Sequence, residues 1–157
     1  MISNSTTDEQ YEACLAKRPD SLARLLSQLK KDMDWRLTEK IQERGYPHFK
    51  LGDMVLLVNI DAHGTINNDL ARKAKISKQA MSKVVKKLEA TGYISTRKHD
   101  TDNRASIIYL TEQGKELMIN AWECIEAIQH SYTAIIGETD AVEMKRILLK
   151  LHRGIGI

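Results

Sequence analysis

A single β-hairpin in an otherwise helical pattern constrains this chain more than any other feature. YISTRK (residues 93–98) and ASIIYL (105–110) are rich in β-formers and are separated by the polar run HDTDNR. They are the only hairpin signal in the sequence. An Arg stands at the tip, and the chain runs from it straight into an apolar strand.

Two short helices lead into this hairpin. NNDLARKA (67–74) opens with Asn67, a candidate cap. Ser77 then caps KQAMSKVVKKLEAT, which ends at Gly92. Along that second helix Met81, Val84, Val85 and Leu88 form one apolar stripe at i, i+3, i+4, i+7. The opposite face shows Lys78, Gln79, Ser82, Lys83 and Lys86.

The flanks predict longer helices. Pro19-Asp20-Ser21 marks a start, followed at helical spacing by Leu22, Leu25, Leu26, Leu29, Met33, Leu37 and Ile41. Gly45 and Pro47 end that helix. Residues 51–63 are apolar on nearly every side and predict a central buried helix closing at Gly64. Thr111 caps a long helix bearing Leu117, Ala121, Trp122, Ile125, Ile128, Tyr132 and Ile135; Gly137 breaks it, and Thr139 opens a last helix with Val142, Ile147, Leu148 and Leu151.

A helical pair followed at once by a two-stranded wing is a winged helix-turn-helix. The expected fold is mainly α with a small β-hairpin wing, its N- and C-terminal helices serving dimerisation. Residues 1–18 form a flexible N-terminal arm, 19–47 and 111–157 the dimerisation helices, and 48–110 the winged DNA-binding domain, in one continuous globular unit. The outer helices carry apolar stripes longer than a small winged domain can cover, which marks an interface between two copies.

At 157 residues, 42% apolar and 29% charged, the chain has the makings of one ordinary soluble domain. No apolar run approaches a membrane span, and MISNSTTDEQ has neither the basic start nor the apolar stretch of a signal peptide. Cys14 and Cys124 form no CxxC pair, so neither a disulfide framework nor a zinc knuckle is signalled. The cytoplasm is the expected compartment, and no metal or other cofactor is implied. Net charge is only +3, yet residues 65–104 hold ten Lys/Arg against Asp69, Glu89, Asp100 and Asp102. That asymmetry fits a surface that meets a polyanion.

Double-stranded DNA is the polyanion this arrangement suits. The turn at residues 74–77 sets the second helix projecting from the first, so helix 77–91 can enter the major groove with its N-terminal residues at base edges. Ser77 starts it. Gln79 can bond adenine bidentately, Lys78 or Lys83 can reach guanine or phosphate, and Ser82 can serve either. Lys86 and Lys87, further along, are expected on phosphates. A wing at 93–110 beside that helix reaches the flanking minor groove, whose negative potential attracts an inserted Arg. Arg104 suits that position, with Asp102 able to brace its guanidinium.

Three segments carry a resemblance. DNRASIIYLTEQG (102–114) resembles the wing signature of the MarR family of winged helix-turn-helix regulators: Asp, one residue, Arg, then a strand into Leu-Thr and a Gly. SKQAMSKVVKKLEATGYI (77–94) is similar to the family's recognition helix and the start of its wing, and NNDLARKAKIS (67–77) resembles the helix before it. The order of helices matches over residues 20–153. The resemblance implies an obligate homodimer on a pseudo-palindromic operator, acting as a transcriptional repressor released by a small ligand or oxidant. The first wing strand departs from the family, with Thr96 where an Arg is common and Arg97 next, so the phosphate contact falls to Arg97 or Lys98.

Weaker signals remain. Trp35, Tyr46, His48, Phe49, Trp122 and Tyr132 fall near the expected junction of the dimerisation and DNA-binding parts, where they could line a cleft for a small aromatic effector. Cys14, near Lys17 and Arg18, offers a thiol-based redox reading. Glu126 and His130 stand four apart with no third metal ligand. The absence of HExxH and GxSxG argues against an enzyme. A winged protein-interaction module without DNA binding is the other alternative, and the basic face of helix 77–91 argues against it.

Overall fold

The sequence alternation resolves into seven helices and three strands in a computed structural model, which describes residues 6–99 and 105–156. Asp102 and Arg104 lie outside the described residues. The helices are α1 (Thr6–Lys17), α2 (Leu22–Glu43), α3 (Leu51–Leu57), α4 (Asn67–Ala74), α5 (Lys78–Ala90), α6 (Glu112–Ile136) and α7 (Glu138–Gly154). The strands are β1 (Thr65–Ile66), β2 (Ile94–Lys98) and β3 (Ser106–Leu110), in one antiparallel sheet of order β1-β3-β2. Among the described residues no helix is long and apolar enough to cross a membrane.

The chain divides after Arg36 into two units. In the first, α1 is a helix over most of the segment expected as an arm, and it buries none of its residues. The early turns of α2 leave Leu22, Leu25, Leu26 and Leu29 exposed.

The second unit builds one core. Leu56 and Leu57 of α3, Leu70 of α4, Leu88 of α5, Ile108 of β3 and Leu117 of α6 are all buried to 1% exposure or less. They come from two face patterns, period 3.6 on the helices and period 2 on β3. At the end of α2, the Arg44 guanidinium bonds Asn120 Oδ1 at 3.1 Å and Glu123 Oε2 at 2.5 Å on α6.

Several boundaries differ from the sequence expectation. Helix α3 stops at Leu57 rather than running to residue 63. Polar side chains take over the backbone there: Asn59 Nδ2 donates to the Val55 carbonyl at 2.7 Å, and Thr65 Oγ1 accepts the Asp61 N–H at 2.8 Å. The chain then contributes a third strand, Thr65 and Ile66 pairing with Ile108 and Ile107. Asn67 is the first residue of α4 and not its cap, its Oδ1 accepting only from the Asn68 N–H. Helix α7 begins at Glu138, one residue before Thr139, with Glu138 and Asp140 at its positive end.

Candidate nucleic-acid interface

Helix α5 is positioned from both ends. Ser77 is extended (φ −66°, ψ 152°) and its Oγ accepts the Ala80 N–H at 3.1 Å, the N-cap the sequence predicts. Met81 and Leu88 are buried beneath the helix, and Val84 and Val85 half-buried. The apolar stripe thus fixes the helix's rotation about its own axis. Ser77, Lys78, Gln79, Ser82, Lys83 and Lys86 consequently all stand exposed. The Ser82 hydroxyl donates to the Lys78 carbonyl at 2.9 Å, which leaves its oxygen able to accept.

Lys87 is placed differently. Half-buried, it sets Nζ 2.5 Å from Oδ2 of Asp53, a residue of α3 only 8% exposed. The expected phosphate contact therefore has a competing partner inside the domain. Asp53 was not marked by the sequence, because a lone acid in an apolar heptad of α3 carries no signal of what it faces.

The wing follows without a break. Strand β2 pairs with β3 in the register Thr96↔Ile108, Arg97↔Ile107 and Lys98↔Ser106, and the His99 N–H donates to the Ala105 carbonyl at 3.0 Å beyond the strand ends. Arg97 and Lys98 are both exposed, and the Arg97 guanidinium lies 5.5 Å from the centroid of the Tyr109 ring. A cation held over an aromatic face keeps its charge while losing some of its freedom. Thr111 ties the wing to α6: its Oγ1 donates to the Gly92 carbonyl at 2.6 Å and accepts the Gly114 N–H at 3.1 Å.

The aromatic candidates do not gather in one place. His48 and Phe49 line an open cleft of about 610 Å³ together with Thr38, Gln42, Lys50 and Lys87. Phe49 is buried and His48 exposed. Tyr46 instead faces Tyr93, ring centroids 6.4 Å apart, and its hydroxyl oxygen accepts from Asn120 Nδ2 at 3.3 Å. Trp35 and Trp122 are about three-fifths exposed, and Trp122 Nε1 donates to Glu126. Tyr132 is half-buried on α6. Cys14 is exposed on α1; Cys124 is buried, and burial pushes its thiol pKa up, which makes it a poor nucleophile. Among the described residues no three His, Cys, Asp or Glu side chains group as metal ligands.

Residues 50–106, from the residue before α3 to the first residue of β3, match the MarR family. The likeness to the MarR family rests on this segment, residues 50–106 of the 157. It is 39% identical over 49 residues to the uncharacterized HTH-type transcriptional regulator YdgJ of Bacillus subtilis (strain 168), a match covering 31% of this chain and 30% of that protein. The chain thus spans less than a third of that relative's length. Among solved structures it resembles MarR at 17% identity with a TM-score of 0.73, over 85% of this chain and 96% of that one. It also resembles an S. aureus MepR mutant bound to an oligodeoxyribonucleotide, at 19% identity and a TM-score of 0.60, over 86% and 98% of the two chains. These likenesses carry the fold: a mainly helical winged helix-turn-helix with a small antiparallel sheet.

Proposed function

We propose that this chain is a homodimeric transcriptional regulator of the MarR family that binds double-stranded DNA sequence-specifically, with α5 in the major groove and the β2–β3 wing over the flanking minor groove. The observation that carries this reading is the exposed face of α5, where Lys78, Gln79, Ser82, Lys83 and Lys86 stand on one capped helix. The MepR structure with its bound oligodeoxyribonucleotide supports the choice of partner. A two-fold dimer calls for a pseudo-palindromic operator with half-sites about one helical turn apart. Arg104 is assigned to the minor groove, where narrow A·T-rich flanks attract a guanidinium. The regulatory mode proposed is repression relieved by a small aromatic acid. The cleft lined by Phe49 and Leu51 together with Lys50 and Lys87 supports that ligand class.

Selection of tight-binding duplexes from a random pool tests the core of the proposal. A two-fold symmetric consensus should emerge. On that duplex, Gln79→Ala should cost about 1–3 kcal/mol and relax base preference at one position. Lys86→Ala should weaken all duplexes alike and reduce the salt slope by about one. No enrichment over the random pool would sink the reading.

A further inference from the structure

Three helices in the second unit end in the same hydrogen-bonded turn, and one of them is built from the wrong residue. After α2, the Tyr46 N–H bonds the Ile41 carbonyl and the Gly45 N–H the Gln42 carbonyl. After α5, the Tyr93 N–H bonds Leu88 and the Gly92 N–H bonds Glu89. After α4, the Ile76 N–H bonds Ala71 at 3.3 Å and the Lys75 N–H bonds Arg72 at 3.2 Å. This paired pattern requires a left-handed residue at its second-to-last position, where glycine carries no steric cost. Glycine supplies it twice, at Gly45 (φ 97°) and Gly92 (φ 78°). In the turn that leads into α5 it is Lys75, at φ 52°, the only non-glycine with positive φ among the described residues.

A strained residue held by its surroundings points to a role for its side chain. Packing does not explain Lys75, which is exposed. Nor does a neighbouring carboxylate. Of the basic residues closing α4, Arg72 pairs with Asp69 at 2.8 Å and Lys73 with Asp61 at 2.6 Å, whereas no described residue forms an ion pair with Lys75. Two residues further on, Ser77 starts α5 and its exposed face.

We infer that Lys75 is a DNA phosphate contact, placed by its left-handed backbone at the turn between α4 and α5; this rests on the DNA-binding reading above. The turn holds the lysine stem at the start of the groove-facing helix, while the ammonium forms no ion pair among the described residues. It contributes affinity without reading sequence, since phosphates carry no base information.

The test is a salt titration of binding to a fluorescently labelled random-sequence duplex, for the wild-type chain and for Lys75→Gly, Lys75→Gln and Lys75→Arg. One phosphate contact is worth about 0.9 in the slope of log Kobs against log salt concentration. Lys75→Gly and Lys75→Gln should both lose that increment, and Lys75→Arg should keep it. Thermal melting separates charge from backbone: Lys75→Gly should melt at or above the wild-type temperature while binding DNA more weakly. Wild-type slopes for both Lys75→Gly and Lys75→Gln would overturn the inference and leave the DNA-binding reading standing. A wild-type chain that binds no duplex at all would overturn both.

Discussion

Lys87 Nζ sits 2.5 Å from Asp53 Oδ2, and this pair joins the last turn of α5 to the first turn of α3. Asp53 is buried and Lys87 half-buried, so the carboxylate depends on the ammonium more than the reverse. Removing one partner of a buried pair leaves an uncompensated charge, and the partial exposure of Lys87 lowers that cost below the fully buried case. Lys87→Ala should destabilise by roughly 1–3 kcal/mol, and Asp53→Asn by less, because the amide still accepts from Lys87. Urea denaturation of the two variants measures this directly. On DNA, Lys87→Ala should leave the salt slope unchanged. A slope lower by about one, with stability intact, would return Lys87 to the phosphate backbone.

The junction of wing and α6 should be the least tolerant backbone in the domain. A Cβ placed on Gly114 would lie 2.0 Å from the Tyr93 carbonyl oxygen, a backbone atom tied to β2. Nothing flexible can give way there. Gly114→Ala should therefore destabilise by more than 3 kcal/mol, beyond the ordinary range of point substitutions. Thr111 closes the same junction through its two hydrogen bonds, so Thr111→Ala should cost about 1–2 kcal/mol, with Thr111→Ser recovering most of it. Thermal unfolding followed by circular dichroism ranks the three. A Gly114→Ala variant as stable as wild type would mean that the close approach is not kept in solution.

Much of this architecture was legible in the chain because side-chain periodicity and caps speak locally. Ser77 and Thr111 cap the helices they were expected to cap, and the two wing strands fall within one residue of their β-rich segments. What escaped depended on partners distant in sequence. A two-residue strand such as Thr65–Ile66 has no period of its own and exists only because β3 is there to pair with it. The Asp53–Lys87 pair spans 34 residues, and no local pattern reports it. The left-handed Lys75 was hidden for the opposite reason, since a lysine in a polar turn looks ordinary until its φ is known.

The loop between α3 and β1 should make stability depend on acid pH. Hydrogen bonds from Lys73 first, and from Thr65 second, hold the Asp61 carboxyl below its ordinary value. The folded state therefore favours the ionised form. A group with a depressed folded pKa contributes stability that is complete above the unfolded value, 3.8, and is lost as pH falls through the folded one. Asp61→Asn should accordingly be less stable than wild type near neutrality, by a modest amount because the carboxylate is exposed. The difference should shrink below about pH 4. Denaturant midpoints for both proteins across the acid range give the comparison. A constant offset at all pH values would assign the effect to the amide's geometry instead of to charge.

Dimerisation should depend on apolar surface that a single chain leaves uncovered. Helix α7 carries Val142, Ile147, Leu148 and Leu151, yet buries none of its 17 residues. The first turns of α2 show the same condition, with Leu25, Leu26 and Leu29 exposed. Surfaces of this kind on a folded chain mark an interface. A leucine buried between copies contributes about 1.5–3 kcal/mol, and a dimer carries both substitutions twice, so replacing two per chain by acids should remove at least ~6 kcal/mol, on the order of ten-thousandfold in the dissociation constant. The doubly substituted Leu148→Glu, Leu151→Glu chain should sediment as a monomer at micromolar concentration where the wild type sediments as a dimer. Its helical circular dichroism should persist, because neither side chain belongs to the core of its own chain. DNA binding supplies the second readout: a monomer presents one α5 to the duplex, so affinity for a two-fold site should fall further than affinity for a half-site. A wild-type monomer under the same conditions would overturn the dimeric reading.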